Sequence, residues 1–309
     1  MDISVVVPTL NARDRLATVL DALDANAPSV EVVVVNGPSS DGTSGMVREH
    51  DAVDVLLELS ERNLNAARNA GFSAASGDVV ALVGQDSEVQ PGWADAVREA
   101  VREGADVVTG PIHREVSGGV TTEAVERADL AGRSVTFFDG GNVAFTRETV
   151  EALDGFDEYL QTGAARDAAH RLAAMDREVV WHTDVVVLRE ERDDVADRIA
   201  DSADVPAWGL KYRALSYRLV KNYGLRPRIL WRGIKHAVGD AFGVACDVAR
   251  GDEDPSKWFA NGSAVVTNVA TGVREGLRAR RADDPPRRNP NGISSRMDRT
   301  VSRYERSPA

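Results

Sequence analysis

Short apolar runs alternate with amphipathic segments through the first part of the chain. Residues 3–8, 30–35 and 79–83 are almost entirely apolar, which is typical of strands covered on both faces of a parallel sheet. Residues 15–25 lie between the first two runs and have an apolar face at helical spacing. This face consists of Leu16, Val19, Leu20 and Leu23. The alternation predicts an α/β domain built on a parallel sheet.

Later segments continue this alternation. Residues 53–59 and 105–110 are predicted as strands, and residues 93–101 as a helix. Small residues recur at helical spacing just before the strand at 79–83, which would let that helix approach the sheet closely. They are Ala66, Ala67, Ala70, Ala74 and Ala75.

Polar loops follow three of the predicted strands. Thr9-Leu10-Asn11 follows the first strand, residues 36–43 follow the second, and Gly84-Gln85-Asp86 follows the strand at 79–83. Open α/β sheets bind ligands beyond the carboxyl ends of their strands. Asp86 is therefore placed to meet a ligand, although a single Asp at a strand end is also a common turn or capping residue.

The stretch from Asn63 to Trp93 contains A-R-N-x-G, a strand, an acidic loop and P-G-W in that order. In this it resembles the inverting nucleotide-sugar glycosyltransferases of family 2, which have the GT-A fold. The resemblance implies a GT-A nucleotide-sugar-binding, Rossmann-like α/β domain, here followed by a basic helical C-terminal region. Asn36 would read the base through its amide, and Arg68 would grip a phosphate. The donor-binding residues implied are Pro8, Asn11, Asn36, Asp41, Arg68, Asp86 and Arg189.

The resemblance also implies a divalent metal, Mg²⁺ or Mn²⁺. Family members hold it with a D-x-D motif, and Asp86 stands at the second Asp of that motif. Two positions depart from the pattern, because Gly84 replaces the first Asp and Arg189 stands where the family has a metal-binding His. Either the domain is degenerate, or Arg189 supplies the positive charge of the metal and the His. We favour the second reading.

A further family motif, E-D-x-D-L-x-x-R, carries the catalytic base on its second acid. Alignment on Arg171 places Ala164 and Ala165 on the E-D pair and leaves Asp167 as the remaining acid. We predict that Asp167 is the general base and that Arg171 belongs to the catalytic site. This requires a loop or extended segment, in which residues i and i+2 point to the same side. The alternative is that Asp167 caps a helix.

Glycine-rich loops complete the resemblance, since glycine lets a sugar approach the backbone closely. The residues that map to the sugar and acceptor loop are Gly140, Gly141, Asn142 and Asp157. The alanines at 164 and 165, together with Arg166 and Arg189, reduce the negative charge expected in this region. Because Arg binds carboxylates bidentately, they predict an acidic donor sugar such as a nucleotide-linked hexuronic acid.

The amino-acid composition indicates the kind of organism and argues against some classes of ligand. The net charge is −12, and the only lysines are Lys211, Lys221, Lys235 and Lys257. This acidic, lysine-poor composition resembles cytoplasmic proteins of salt-loving archaea, although a high-GC mesophile could share the arginine bias. It argues against non-specific nucleic-acid binding. The single cysteine, Cys246, excludes an internal disulfide framework and a metal site built from cysteines.

The C-terminal third has a different character. A charge run at 190–204 is predicted to close the catalytic domain near residue 205. A basic helical region follows at 206–281. The polar tail at 282–309 is predicted to be disordered. Within the basic region, an apolar stripe from Leu230 to Ala245 beside Trp231 predicts a membrane-surface helix. The alternative is packing on the catalytic domain. Residues 258–277 predict another helix.

The chain has no apolar run long enough for a transmembrane helix and no signal peptide, so we expect peripheral attachment at the cytoplasmic face of the membrane. These features together resemble haloarchaeal enzymes that build lipid-linked N-glycans of the surface-layer glycoprotein. The implied partners are a nucleotide-sugar donor, a dolichol-phosphate-linked oligosaccharide acceptor and a membrane surface. A catalytically inactive nucleotide-sugar-binding scaffold and a nucleotidyltransferase-like enzyme remain as alternatives. The sequence does not indicate the oligomeric state.

Overall fold

The structure is a computed structural model that describes residues 1–116, 119–122, 124–189, 207–226 and 255–306. Its strands in chain order are β1 (Ile3–Thr9), β2 (Glu31–Asn36), β3 (Val55–Leu59), β4 (Val79–Val83), β5 (Ser87–Val89), β6 (Val107–Thr109), β7 (Ile112–Val116), β8 (Gly119–Thr122), β9 (Arg127–Leu130), β10 (Arg133–Thr136), β11 (Asn142–Thr146), β12 (Val179–Trp181), β13 (Val187–Arg189) and β14 (Thr300–Glu305).

The helices within these ranges are α1 (Arg13–Asn26), α2 (Thr43–Glu49), α3 (Leu64–Ala74), α4 (Trp93–Arg102), α5 (Arg147–Leu153), α6 (Ala164–Ala174), α7 (Ala207–Tyr223) and α8 (Pro255–Ala282). Among them, none combines the length and the apolar character that crossing a bilayer requires.

The main sheet has the strand order β12-β6-β11-β4-β1-β2-β3-β14 in the described part of the chain. β1 pairs in parallel with both neighbours, so that Val5 faces Val32 on one side and Ala81 on the other. β11 is antiparallel to β4 and β6, and β14 is antiparallel to β3. The prediction of an α/β domain with a parallel-rich sheet is confirmed. The parallel pairing brings the carboxyl ends of β1, β2 and β4 to one edge.

Helices cover both faces of this sheet. On one face, α1 and α4 share an apolar cluster with Val5 and Val7 of β1. On the other face, α3, α5 and α6 share a cluster with Val6. A Cβ atom on Gly71 of α3 would lie 2.2 Å from Cγ1 of Val6. The helix of small residues therefore packs against the sheet as closely as the sequence predicts.

α7 and α8 lie side by side and run in the same direction. A Cβ atom on Gly272 of α8 would lie 2.1 Å from the Oγ atom of Ser216 in α7, so glycine permits this close approach. α7 also contacts the α/β domain, where the ring of Tyr217 stacks on Tyr159 with centroids 4.4 Å apart. α7 thus packs on the α/β domain, which is the arrangement that the packing alternative describes. The predicted helix at 258–277 is confirmed as part of α8. The predicted stripe at 230–245 lies outside the described residues.

The tail differs from the sequence prediction, since residues 283–306 are folded against the domain. β14 extends the main sheet beside β3. The amide of Asn289 donates to the Asp154 carbonyl at 2.7 Å, and that of Asn291 donates to a carboxylate oxygen of Asp157 at 2.9 Å. Low hydrophobicity predicts disorder because few apolar groups are available for burial. Here, side-chain hydrogen bonds and strand pairing to distant residues hold the tail instead.

Candidate functional site

Two loops meet at the carboxyl edge of the main sheet. Residues 84–86 follow β4, and residues 139–141 precede β11. Because β11 runs antiparallel to β4, Asn142 pairs with Val83, and the start of one strand adjoins the end of the other. The amide of Gly84 donates to the carbonyl of Gly141 at 3.0 Å. The topology therefore brings the Asp86 and Asp139 loops together.

The guanidinium of Arg189 lies between these loops. β13 pairs with β5 so that Arg189 faces Ser87, and its Nε and Nη2 atoms donate to the Ser87 hydroxyl at 3.1 and 3.0 Å. Nη2 also lies 3.2 Å from Oδ1 of Asp139, and Nε lies 3.4 Å from Oδ1 of Asp86. The Arg189 side chain is only 14% exposed. One cation thus joins the loops that follow β4 and precede β11.

Asp139 stays ionised in this setting. Burial alone would raise the pKa of Asp139, but the charge and hydrogen bond of Arg189 and the backbone amide of Gly141 lower that pKa below its usual value. The Gly141 amide donates to Oδ1 of Asp139 at 2.7 Å. The loop is therefore fixed by an ionised carboxylate that faces a permanent cation.

The residues at this edge do not fit a divalent-metal site. A Cβ atom on Gly84 would lie 2.8 Å from the Ser87 hydroxyl and 3.0 Å from Oδ1 of Asp86, so the position has no room for the first Asp of a D-x-D motif as the loop stands. Within the described ranges, no group of three or more His, Cys, Asp or Glu side chains is arranged to hold a metal ion. Arg189 occupies the space beside Asp86 that a metal ligand would need.

Arg68 brings a second cation to the same edge. Its Nη1 atom donates to Oδ1 of Asn65 at 3.0 Å, its Nη2 atom donates to the Gly140 carbonyl at 3.2 Å, and its guanidinium lies 4.8 Å from the centre of the Phe156 ring. Its Nε atom is buried without a hydrogen-bond partner. Burial lowers the pKa of Arg68 to about 10, against the opposing charge of Asp139, so Arg68 remains charged at neutral pH.

A cavity of about 450 Å³ opens beside Arg68. Its walls come from α3, from the loops at 137–140 and 161–163, and from the start of α6. The lining residues are Leu64, Asn65, Arg68, Ala124, Glu126, Phe137, Phe138, Asp139, Gly140, Gln161, Thr162, Gly163, Ala164, Ala165, Arg166 and Trp181. Glu126 and Asp139 are the two carboxylates of this wall.

Two arginines lie near the N-terminal end of α6, and of these Arg166 lines the cavity. Arg166 forms a two-pronged ion pair with Glu126, and its guanidinium lies 4.7 Å from the centre of the Phe137 ring. Arg218 of α7 reaches Gly163, where an added Cβ atom would lie 2.7 Å from its Nη1 atom. Burial, and then the charge of Arg166, lower the pKa of Arg218 to about 10. Arg166 thus brings a guanidinium to the cavity wall, where it is paired with Glu126.

The structure places Asp167 differently from either sequence reading. Gly163 is the N-cap of α6, and Asp167 lies inside the first turn rather than in a loop or at the cap. Its carboxylate is fully buried and accepts hydrogen bonds from Arg171, Lys221 and Asn222 at 2.9, 2.7 and 2.8 Å. Burial alone would raise the pKa of Asp167, but the charges of Lys221 and Arg171 lower it to about 2. A general base must reach the substrate with a pKa near the working pH. Asp167 meets neither condition.

Arg171 and Asp157 belong to the same buried network. The guanidinium of Arg171 donates to the carbonyls of Leu153 and Gly155 at 2.6 and 2.8 Å, which fixes the turn before Asp157. Asp157 accepts hydrogen bonds from the Lys221 ammonium and the Tyr217 hydroxyl, both at 2.7 Å. Both predicted site residues are fully buried. They hold the cavity wall instead of lining it.

The remaining predicted residues fall into two groups. Gly140 lines the cavity, and Gly141 touches Arg189, because an added Cβ atom would lie 2.7 Å from the Nη2 atom of Arg189. Asn142 is buried, accepts a hydrogen bond from Trp93 at 3.0 Å, and donates to the Val185 carbonyl at 2.8 Å. It is therefore a packing residue of the sheet edge.

The loops after β1 and β2 hold the other predicted donor-binding residues. Asn36 is 1% exposed, donates to the Ser44 hydroxyl at 2.9 Å and accepts from the Ser39 hydroxyl at 2.7 Å. Its amide therefore shapes the loop, and the prediction that it reads a base does not fit this geometry. Asn11, with φ 48°, accepts from the amide of Ser40 at 2.8 Å. The site residues of these loops thus connect the two strand ends.

Two further residues of this edge serve the same purpose. Asp41 accepts from the amides of Thr43 and Arg13, both at 3.1 Å, and so ties the start of α1 to that of α2. Pro8 is buried within β1, whose pairing with β2 carries it to the sheet edge.

Sequence reasoning missed Lys221 and Gln85. Lys221 is fully buried in α7 and bridges Asp157 and Asp167. Its signal was its rarity, because an arginine-rich chain retains lysine where a compact ammonium group is needed. Gln85 stands between Gly84 and Asp86, and its Oε1 atom accepts from the Leu10 amide at 2.9 Å. No sequence signal pointed to that contact.

Comparisons with known proteins agree on a family. A sequence profile described as "Glycosyl transferase family 2" matches residues 4–182. The chain is similar to the dolichol-phosphate mannosyltransferase of Pyrococcus furiosus, with 32% identity over 124 residues that cover 38% of this chain and 35% of the relative. It is also similar to the glycosyltransferase AglE of Haloferax volcanii, with 29% identity over 135 residues that cover 41% and 44%. The polyprenol monophosphomannose synthase of Mycolicibacterium smegmatis is 28% identical over 170 residues, which cover 48% and 63%. The chain thus spans between 35% and 63% of the lengths of these relatives.

Solved structures share the fold. The mannosyltransferase PcManGT from Pyrobaculum calidifontis, in complex with GDP-Man and Mn²⁺, matches with a TM-score of 0.54 and 18% identity over 90% of this chain and 86% of that chain. TarS of S. aureus in complex with UDP-GlcNAc matches with a TM-score of 0.53 and 17% identity over 90% and 92%. These likenesses confirm a GT-A-like architecture.

Proposed function

The chain belongs to glycosyl transferase family 2, and we propose on that basis that it transfers a sugar from a nucleotide-sugar donor to a lipid-phosphate acceptor. The observation that carries this proposal is the pair of guanidinium groups, Arg68 and Arg189, at the carboxyl edge of the sheet. Guanidinium groups bind phosphate oxygens bidentately, and the backbone at Gly140 and Gly141 allows a ligand to come close. A nucleoside diphosphate needs both features.

The acceptor class follows from the relatives and from the cavity. Two relatives are named for dolichol-phosphate and polyprenol-phosphate substrates. In this chain, Arg166 lines the same cavity as Arg68, and Arg218 lies behind the cavity wall at Gly163. We infer that a phosphorylated polyprenol binds in this cavity, with its phosphate directed towards α6.

An ionised phosphate acceptor would need no general base. In an inverting transfer, the acceptor oxygen bonds to the anomeric carbon from the face opposite the leaving nucleoside diphosphate, and the carbon–oxygen bond to that diphosphate breaks. A phosphate oxygen is ionised at neutral pH and has no proton to lose, so Ala165 and the buried Asp167 are compatible with turnover. A glycan hydroxyl would require a base. Glu126 lies on the cavity wall, but its hydrogen bonds to Arg166 lower its pKa, so it would have to leave Arg166 to act as that base. Arg68 and Arg189 would stabilise the charge that develops on the leaving diphosphate.

We propose a more specific assignment, which covers the pathway, the acceptor and the sugar. The acidic, lysine-poor composition and the similarity to AglE of Haloferax volcanii support a haloarchaeal enzyme of lipid-linked N-glycan assembly for the surface layer. Its acceptor would then be dolichol phosphate or an oligosaccharide linked to it, at the cytoplasmic face of the membrane. A hexuronic acid is the proposed sugar, because alanines stand at 164 and 165 on the cavity wall where the family has two acids, so a sugar carboxylate would meet no like charge there.

The purified full chain tests these proposals directly. It would be incubated with UDP-glucose, UDP-glucuronic acid or GDP-mannose, and with dolichol, dolichyl phosphate or a dolichyl-phosphate-linked oligosaccharide. Mass spectrometry of the lipid fraction identifies the product. We expect sugar transfer to dolichyl phosphate, release of the nucleoside diphosphate, and no product with unphosphorylated dolichol. The glucuronic acid donor should react faster than its neutral counterpart.

Matched variants separate the alternatives. If a glycan hydroxyl is the nucleophile, Glu126→Gln should reduce transfer to the oligosaccharide about 10²-fold or more, whereas transfer to a bare phosphate should respond far less. Donor binding without turnover on either phosphorylated lipid would indicate the inactive scaffold. Formation of a nucleotidyl–phosphate bond with release of the sugar 1-phosphate would instead identify a nucleotidyltransferase. Either result would overturn the proposed function.

A further inference from the structure

The Arg189 guanidinium occupies the centre of the strand-end site, and on the basis of the proposed function we infer that it replaces the divalent cation in binding the donor diphosphate. It lies within 3.4 Å of Asp86, Ser87 and Asp139, on the loops after β4 and before β11. Donor binding by this chain is therefore independent of metal ions.

The packing around the guanidinium involves both glycines. An added Cβ atom would lie 2.8 Å from the Ser87 hydroxyl at Gly84 and 2.7 Å from the Nη2 atom of Arg189 at Gly141, so a side chain at either position would have to displace part of this arrangement. A second Asp at position 84 would collide with the loop that Arg189 fixes. Gly84 and Arg189, the two positions that depart from the family's metal motif, thus belong to one arrangement.

Charge leads to the same conclusion. In the family's metal site, the charges of two Asp carboxylates, one neutral His and one divalent cation sum to zero. Gly84, Asp86 and Arg189 also sum to zero, with one carboxylate fewer and a single positive charge in place of two. The summed charge of these motif positions is therefore preserved, although only Asp86 keeps its family identity.

Arg189 also has the chemistry of a phosphate ligand. Its planar fork can present two N–H groups to phosphate oxygens, and it stays charged at any physiological pH. Asp86, Asp139 and the Ser87 hydroxyl hold the fork in position before a ligand arrives. Arg68, beside Gly140, adds a second cation on the cavity side. A preorganised cation pair therefore stands where the diphosphate would bind.

Titration calorimetry on the purified full chain tests this inference. UDP and GDP would each be titrated in EDTA and, separately, in excess Mn²⁺. We expect at least one nucleotide to bind with Kd values in the two buffers that agree within about 2-fold. Arg189→Gln should weaken that binding about 10–100-fold, since a charged hydrogen bond is lost, and Mn²⁺ should not restore it. Arg98→Gln is the matched control, because Arg98 contacts Ser29 ahead of β2, at the opposite edge of the sheet.

A double substitution gives an independent measurement. Gly84→Asp with Arg189→His removes the guanidinium, makes room beside Ser87 and introduces a carboxylate and an imidazole. This variant should bind the nucleotide only when Mn²⁺ is present, with circular dichroism as the check on folding. Binding by the native chain that disappears in EDTA would overturn the inference and leave the proposed function intact. If neither nucleotide binds with or without Mn²⁺, the proposed function falls together with the inference.

Discussion

Asp86 is positioned by one ion pair, in which its Oδ1 atom lies 3.4 Å from Nε of Arg189. In Asp86→Ala the guanidinium loses one of the groups that orient it towards the diphosphate. We expect the transfer rate to fall about 10²-fold, since misplacement of a binding group by about 1 Å has effects of this size. The melting temperature should change little, and initial rates with thermal unfolding measure both. Asp95→Ala, which removes the exposed partner of Arg98, is the control. Normal transfer by Asp86→Ala would remove Asp86 from the site.

His170 gives a prediction about pH. It is 2% exposed and its Nδ1 atom lies 2.8 Å from the Tyr223 hydroxyl. Burial, followed by the charge of Arg218, lowers the pKa of His170 to about 3, against the opposing charge of Asp167. The unfolded chain takes up a proton near pH 6.5, whereas the folded chain does not. Stability should therefore fall as the pH drops below about 6.5, by up to ~1.4 kcal/mol per unit for this group.

Urea unfolding of the native chain and of His170→Gln at several pH values between 7.5 and 4.5 measures this effect. The glutamine keeps a polar partner for Tyr223 but does not titrate. The variant should lose most of the slope that His170 contributes. An unchanged slope would show that His170 becomes protonated in the folded chain.

At the scale of elements, α7 is anchored by a buried charge. Lys221 bridges Asp157 and Asp167, at 2.7 Å from each, and all three side chains are fully buried. Lys221→Met leaves two carboxylates without their ammonium group. We expect a loss of about 3–5 kcal/mol in the free energy of unfolding, which is the usual cost of breaking a buried ion pair from one side.

Lys211→Met tests the same helix at an exposed position and should change stability by about 0.5 kcal/mol or less. Denaturant unfolding of both variants provides the comparison. Equal stability of Lys221→Met and the native chain would mean that α7 is not held through this network.

The elements predicted best are those whose signal is local. Continuous apolar runs identified β1, β2 and β4, and the small residues before residue 76 identified the close packing of α3, because burial on a parallel sheet selects for these patterns. Asp167 was misjudged because its role is set by Lys221 and Asn222, 54 and 55 positions away. A motif aligned on neighbouring residues cannot reveal such partners.

The tail was misjudged for a related reason. Asn289 and Asn291 read as loop residues, yet they bond to residues 134 or 135 positions earlier. In the candidate site, Arg189 and Asp86 could be predicted from the motif, whereas the ion pairs that fix Arg189 depend on how β13 pairs with β5. Local pattern reveals the strands and the edge at which they end. Tertiary pairing decides which side chains face the ligand.

At the scale of the whole molecule, the charge is divided unevenly. The net charge is −12, but residues 207–239 carry eight cations and no acid. In α7, two cations contact the α/β domain. Lys221 belongs to the buried network with Asp157, and Arg213 donates to the Tyr159 hydroxyl at 2.8 Å. The positive charge of α7 is therefore partly explained by packing. The membrane prediction then depends on the sequence between α7 and α8, outside the described residues.

We expect the full chain to bind anionic vesicles through the apolar stripe at 230–245. At molar salt the screening length falls to ~3 Å, so cations contribute little and apolar insertion must carry the binding. Replacing Leu230 and Ile234 with Ser should abolish sedimentation with phosphatidylglycerol vesicles in 2 M KCl, because each buried aliphatic side chain contributes about 1.5–3 kcal/mol. Lys235→Gln is the matched control and should weaken binding at low salt while leaving it unchanged at high salt. If the double serine variant sediments like the native chain in 2 M KCl, the stripe is not the membrane contact, and α7 with α8 becomes the surface to test.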